Sequence, residues 1–405
     1  MDPFFTSLGW TVYERWKKKD FSLPAFPEIA VRALKESNPS GQVNLSALTR
    51  EFLLEEDQPF QSPSGFGQPE IIVYDNTRFY IQLLFWLDGT TDIHQHSFSG
   101  AFHVMAGSSI HSRFEFENED AVTAHFRTGN LKLRKAELLT TGSTVPITSG
   151  HGCIHSLFHL ETPSVTVVIR THGDPGTGPQ FTYLPPHVAI DPVRNDPLTL
   201  RRKQLLDLIE QTADPAYPDL AMNMISSLDF ERGFFILQNC IGHLRALGAW
   251  DPVWQAFVNR HGSLSSKVLP TLEEIIRRDT LVAMRANIVD PEHRFFVALL
   301  LNLQDREKIL RFVGRCHSGN PLSTIMRWAE ELLQPSPYGA WILDARFPMI
   351  LNVEEEDQPG LLIEALEQFL KGTPAKGALI SLAKKDREVL NAAFAKSSWG
   401  VLKKN

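Results

Sequence analysis

The sequence predicts an α+β protein in which a β-sandwich or barrel lies between a short helical N-terminal region and a large all-α C-terminal domain. Three observations carry that prediction. Residues 27–58 show a helical apolar rhythm, the stretch from about 67 to 186 breaks into short β-branched and aromatic runs, and the helical period returns after 193 almost to the end. At 405 residues the chain is comfortable for two or three cores, and the expected boundaries are 1–64, 65–187 and 193–405.

In the first region Ile29, Ala30, Ala33 and Leu34 recur at helical spacing, followed by Leu48, Phe52 and Leu53. Residues 57–67, rich in Pro, Ser, Gln and Gly, read as a connector. The expected strands are 71–74, 79–87, 100–105, 111–117, 121–128, 131–139, 153–160 and 165–171, with 181–184 as a further candidate. In the last region Asp196-Pro197, Asp251-Pro252, Asp290-Pro291 and Asn320-Pro321 each set a capping residue before a proline, and so predict four helix starts.

A net charge of −7, with 43% hydrophobic and 21% charged residues, is ordinary for a globular protein and argues against a nucleic-acid-binding surface. Residues 1–10 lack a secretory leader's basic start and apolar run, and no stretch reaches membrane-spanning length. Cys153, Cys240 and Cys316 lie far apart and cannot all pair within one chain. The expectation is a reducing compartment, the cytoplasm by default.

The sharpest chemistry is Asp92-Ile93-His94-Gln95-His96. On a strand, residues two apart share a face, so His94 and His96 present two imidazoles together. A second stretch, residues 149–159, offers His151, His155 and His159, with Cys153, His155, Leu157 and His159 on one face of a strand. Three neutral imidazoles converging on a divalent cation make a nitrogen-rich site with open positions, and the ligand type alone does not separate iron from zinc. His103, on the strand after the pair, is a candidate to contact substrate or to orient a ligand. Arg78 and Arg170 are the candidate contacts for an anionic substrate. Glu354, Glu355, Glu356 and Asp357 read as a solvated loop.

Gly89 through His96 resembles the first motif of the cupins, a glycine before a His-x-His pair, with Gly107 where that motif ends. Gly142, Thr148, Gly150 and His155 resemble the second motif, with about two extra residues before the histidine. The segment 76–96 is similar to the thiol dioxygenase branch, whose best-known member is cysteine dioxygenase. The resemblance covers roughly residues 65–185 and implies a jelly-roll barrel of cupin type. It implies His94, His96 and His155 as ligands of Fe(2+). The residues by themselves leave Zn(2+), Mn(2+) or Ni(2+) open as the metal, and His151, His103, His159 and Cys153 as alternative ligands or supporting residues. The usual cupin glutamate is missing, and Ser99 and Gly100 stand in its region. That branch's carboxylate-binding arginine has no match in residues 69–74, where Arg78 is nearby but displaced.

These residues lead to an expected non-haem iron oxygenase acting with molecular oxygen on a small organic substrate, a thiol being one class. The alternatives are a redox-neutral zinc or manganese isomerase or hydrolase, and a non-catalytic ligand-binding or sensor protein. The helical domain is then a candidate to cover the barrel mouth or to pair two copies in a homodimer.

Overall fold

The computed structural model describes residues 3–54, 56, 58–62, 66–87, 89–193, 196–333, 358–374, 377–379 and 382–403. They form an α+β protein with short N-terminal helices, a closed six-stranded antiparallel barrel and a large C-terminal all-α region. No helix among them is long and apolar enough to cross a membrane. The acidic stretch 354–357 lies outside the described residues.

The helices α1 (Pro3–Lys17), α2 (Phe26–Ser37), α3 (Pro39–Gln42) and α4 (Leu45–Leu54) precede eleven strands. These are β1 (Glu70–Asp75), β2 (Phe79–Trp86), β3 (Ile93–His96), β4 (Gly100–Ala106), β5 (Ser108–Ala121), β6 (Phe126–Thr140), β7 (Thr144–Ile147), β8 (Gly150–His159), β9 (Ser164–Thr171), β10 (Thr182–Leu184) and β11 (Val188–Ile190). One sheet has the order β1-β2-β9-β4-β7, and the other closes on itself as β10-β11-β6-β5-β8-β3.

Contacts divide the chain into two compact units. One comprises Met1–Phe114, Leu133–Gln180 and Leu281–Asn405, the other Glu115–Lys132 and Phe181–Thr280. In the first unit the five-stranded sheet is apolar on both faces. Phe5, Leu8, Val12 and Trp16 of α1 and Phe26, Ala30 and Leu34 of α2 share a core with Ile71, Phe79, Ile81, Val167 and Ile169. Its other face contributes Leu84, Trp86, Phe102 and Val168 to a second core. Burial on both faces is why β2 and β9 read as near-continuous apolar runs rather than alternating ones.

Strand β8 is enclosed in the same way. Everything from Cys153 to Leu160 is buried. On one of its faces Ser156 donates to Asn302 of α10 (Pro291–Asn302) at 3.3 Å, and Arg285 of α9 (Leu269–Asn287) donates to the His159 carbonyl at 2.8 Å. In the second unit, Phe126 and Val188 share a core with Phe230, Phe234 and Leu237 of α7 (Phe230–Ala246) and Phe257 of α8 (Trp250–His261).

Two local expectations are corrected. The expected strand 121–128 straddles a hairpin: β5 ends at Ala121, Val122 N–H bonds the Phe126 carbonyl, and β6 runs unbroken through Gly129. That glycine marks a close approach rather than a turn, since a Cβ there would lie 2.7 Å from the Phe116 ring. The Asp-Pro starts at 196 and 290 hold, with Asp196 accepting from Thr199 N–H and Asp290 from Glu292 and His293 N–H. Asp251, however, falls inside the first turn of α8, which begins one residue earlier.

Candidate metal centre

Strand β3 carries His94 and His96 into the first unit, and β8 brings His155 across from them. His94 pairs with His155 in register, but His96 pairs with Gly150, so five residues of β8 are spent against two of β3. The irregularity bends β8 and lets one strand supply a buried His155 and an exposed His151. The candidate ligand atoms of His94, His96 and His155 all lie within 4.8 Å of one another. Ring centroids are 4.7 to 4.9 Å apart, and His96 Nε2 stands 2.8 Å from His155 Nε2.

Burial holds all three rings below their ordinary pKa, and mutual repulsion with neighbouring cations lowers His96 and His155 further. Neutral imidazole is the form that binds a metal. His94 Nδ1 is 2.7 Å from the Asp92 carbonyl and can only donate there, so its Nε2 carries the lone pair, and that atom has no hydrogen-bond partner. His96 Nδ1 is likewise buried without a partner. Two nitrogens bound at 2.0–2.1 Å and a right angle would stand about 3 Å apart, close to the spacing of His96 and His155. The donor set fits a divalent cation.

The three rings line a cavity of about 200 Å³ whose apolar walls include Phe66, Trp86, Phe98 and Ile147 and whose polar walls include Gln82, Thr166 and Arg170. No carboxylate joins the histidines among the described residues. Ser99 is turned to Asp174, donating at 2.5 Å. Gly100, paired with Arg170 of the neighbouring β9, lies so close to it that a Cβ would stand 2.0 Å from the Ile169 carbonyl oxygen. Gly100 therefore has no room for a side chain, and the Ser99 hydroxyl is directed to Asp174. Arg170 stacks its guanidinium 3.4 Å over Phe98 and has its pKa pushed down by burial to about 10. Asp174 and Glu70 act on it only from a distance.

The closed barrel and the three gathered histidines are what the sequence's resemblance to the cupins leads one to expect. No family model matches the chain, and no curated protein matches it. Among solved structures, hydroquinone 1,2-dioxygenase from Sphingomonas sp. TTNP3 is 12% identical over 27% of this chain and 68% of its own, at a TM-score of 0.21. A cupin-2 domain containing protein from Shewanella frigidimarina is 14% identical over 32% and 95%, at 0.20. DMSP lyase DddQ from Ruegeria pomeroyi DSS-3 is 16% identical over 44% and 95%, at 0.24. Overlaps this small carry no argument about the site, whose reading rests on its own residues.

The other candidate residues lie apart from the group. His151 is exposed. His103 is buried between Thr144 Oγ1 at 2.8 Å and Ser40 Oγ at 3.0 Å, pinning α3 to β4 rather than facing the cavity. His159 bonds Ser109 Oγ at 2.9 Å and stacks on Trp86, itself a cavity wall. Cys153 is buried, with its thiol pushed up to about 11 by desolvation, and is unreactive at neutral pH. Arg78 lies 3.8 Å over the Phe21 ring, outside the cavity lining.

Two residues without any local signature also belong to the site. His111 Nε2 on β5 is 2.9 Å from His155 Nδ1, and His111 Nδ1 is 3.4 Å from Glu137 on β6. Only the register of β5 on β8, which sets His111 beside Leu157 and Arg113 beside His155, brings the first pair together.

Proposed function

We propose that the chain is a mononuclear metalloenzyme of cupin type, an iron(II)-dependent oxygenase that joins molecular oxygen to a small organic substrate. The observation that supports it most is the donor set: three buried neutral imidazoles, one with its Nε2 lone pair unclaimed, and no carboxylate beside them. Such a site leaves several positions of a six-coordinate ion open, and bound iron would supply the redox step that ordinary side chains cannot.

His94, His96 and His155 would hold the ion. Arg170, the cation in the cavity wall, would take an anionic group of the substrate, while Phe66, Trp86 and Phe98 exclude water around it. Small thiols and small carboxylates are therefore the first substrate classes to test. Metal analysis of the purified protein with an oxygen-uptake screen decides the reading. Stoichiometric iron with substrate-stimulated uptake upholds it. Tight zinc without uptake turns it to hydrolysis or isomerisation.

A further inference from the structure

We propose that Glu137, acting through His111, fixes which nitrogen of His155 carries the proton, so that the His155 Nε2 lone pair faces the cavity. The inference rests on the metal reading and adds a positioning device to it.

Donors and acceptors are matched along a chain of contacts from Glu137 to His155. Glu137 is an ion-paired carboxylate, with Lys135 Nζ 2.6 Å from its Oε2 and a side chain 30% exposed, and a carboxylate only accepts. Its Oε1 faces His111 Nδ1 at 3.4 Å, and His111 is wholly buried. No hydrogen bond is formed across that separation, so it is the carboxylate's charge, weakly screened around a buried ring, that favours an N–H there over a lone pair aimed at an anion. A neutral His111 that carries its proton on Nδ1 has only a lone pair on Nε2. Nε2 is 2.9 Å from His155 Nδ1, so His155 must donate. A neutral His155 that donates from Nδ1 leaves its Nε2 lone pair free, and that atom is the one grouped with His94 and His96.

The opposite arrangement fails at both ends. It would set the His111 Nδ1 lone pair against Glu137 and put a proton on His155 Nε2 where an ion would sit. His94 obtains the same preset from the Asp92 carbonyl. His96 has no such partner on Nδ1, so two of the three ligands are set in advance and one is left to adjust.

The test is a tautomer measurement on metal-free, 15N-histidine-labelled protein at pH 7.5 by long-range 15N–1H correlation, with His155→Gln to assign the signals. Wild type is expected to show the proton on His155 Nδ1. Glu137→Gln keeps the shape, removes the charge and can donate as well as accept, so a mixture of tautomers or a shift to Nε2–H is expected. Zinc affinity, read by chelator competition, should fall about tenfold to a hundredfold in that variant, with the melting temperature of the metal-free protein unchanged. His155 holding Nδ1–H in both proteins, with equal zinc affinity, overturns the proposal. A tautomer that changes from wild type to Glu137→Gln in a protein that binds no zinc overturns the metal reading and leaves only the control of the His155 proton by Glu137 standing.

Discussion

Two cavities among the described residues differ in a way that size does not reveal. The larger, about 640 Å³ in the second unit, is lined by Asp191, Asp196, Asp229, Glu231, Arg232 and three phenylalanines among others. All four of its carboxylates are engaged. Asp196 and Asp229 cap α5 (Pro197–Gln211) and α7, Asp191 pairs with His125, and Glu231 accepts from Thr123. The smaller cavity of the first unit, about 200 Å³, gathers three buried imidazoles, and His94 Nε2 among them has no hydrogen-bond partner. A native fold rarely leaves buried polar atoms unmatched. The convergence of three imidazoles, not the volume, singles out the smaller cavity as the candidate metal site.

The sharpest way to break that comparison is to remove the ligands. His94→Ala, His96→Ala and His155→Ala should each lower bound metal from stoichiometric to near zero by elemental analysis, whereas Asp191→Ala should leave it unchanged. Full metal content in all three histidine variants would sink the site.

Next in size is the cavity wall. Arg170→Met should retain metal but weaken binding of a small carboxylate to the metal-loaded protein about ten- to hundredfold, as expected for losing a charged hydrogen-bond partner. Equal affinity in calorimetry would show that Arg170 faces no anion.

How much of this was legible in the sequence follows from the range of each interaction. His94 and His96 declare themselves through a period of two residues, which is local. His155 needed a resemblance, because the β8 irregularity that separates it from His151 arises from pairing with β3. The missing acid at Ser99 and Gly100 was visible as an absence, but the close approach of Gly100 to the Ile169 carbonyl on the neighbouring strand was not. His111 and Glu137 were silent, since neither strand shows which neighbour it will take. The same limit made Gly129 look like a break when it is a contact with Phe116. Patterning within one strand is readable, and the register between strands is not.

Acid separates the two regions by mechanism. In the metal-free protein the buried site histidines have folded pKa values below the unfolded 6.5, and His159 is pushed to about 3 by burial. The unfolded chain therefore binds more protons below pH 6.5, and stability present above it is lost as pH falls from 6.5 toward 3, by up to about 1.4 kcal/mol per unit for each such histidine. The Asp196 carboxyl, lowered by its hydrogen bonds to Thr199, contributes stability above its unfolded value of 3.8 and loses it only below. Hydrogen exchange followed by mass spectrometry at pH 7 and pH 5 should therefore show β3 and β8 losing protection while the start of α5 keeps its own. Uniform loss across both would contradict this.

The smallest effect tests the larger cavity. If Asp229 serves only as a helix cap, accepting from Arg232 N–H at 2.9 Å, then Asp229→Ala should cost about 1 kcal/mol in urea unfolding and nothing in metal content or ligand affinity. The companion Asp229→Asn should recover most of the loss, because an asparagine oxygen caps as well as a carboxylate. Were the cavity instead a cation site, asparagine would fail to rescue, because charge and not hydrogen-bond geometry would be the missing quantity. A carboxylate that caps a helix still has acceptor sites to spare, so the rescue by asparagine, and not the cap itself, decides between the two readings.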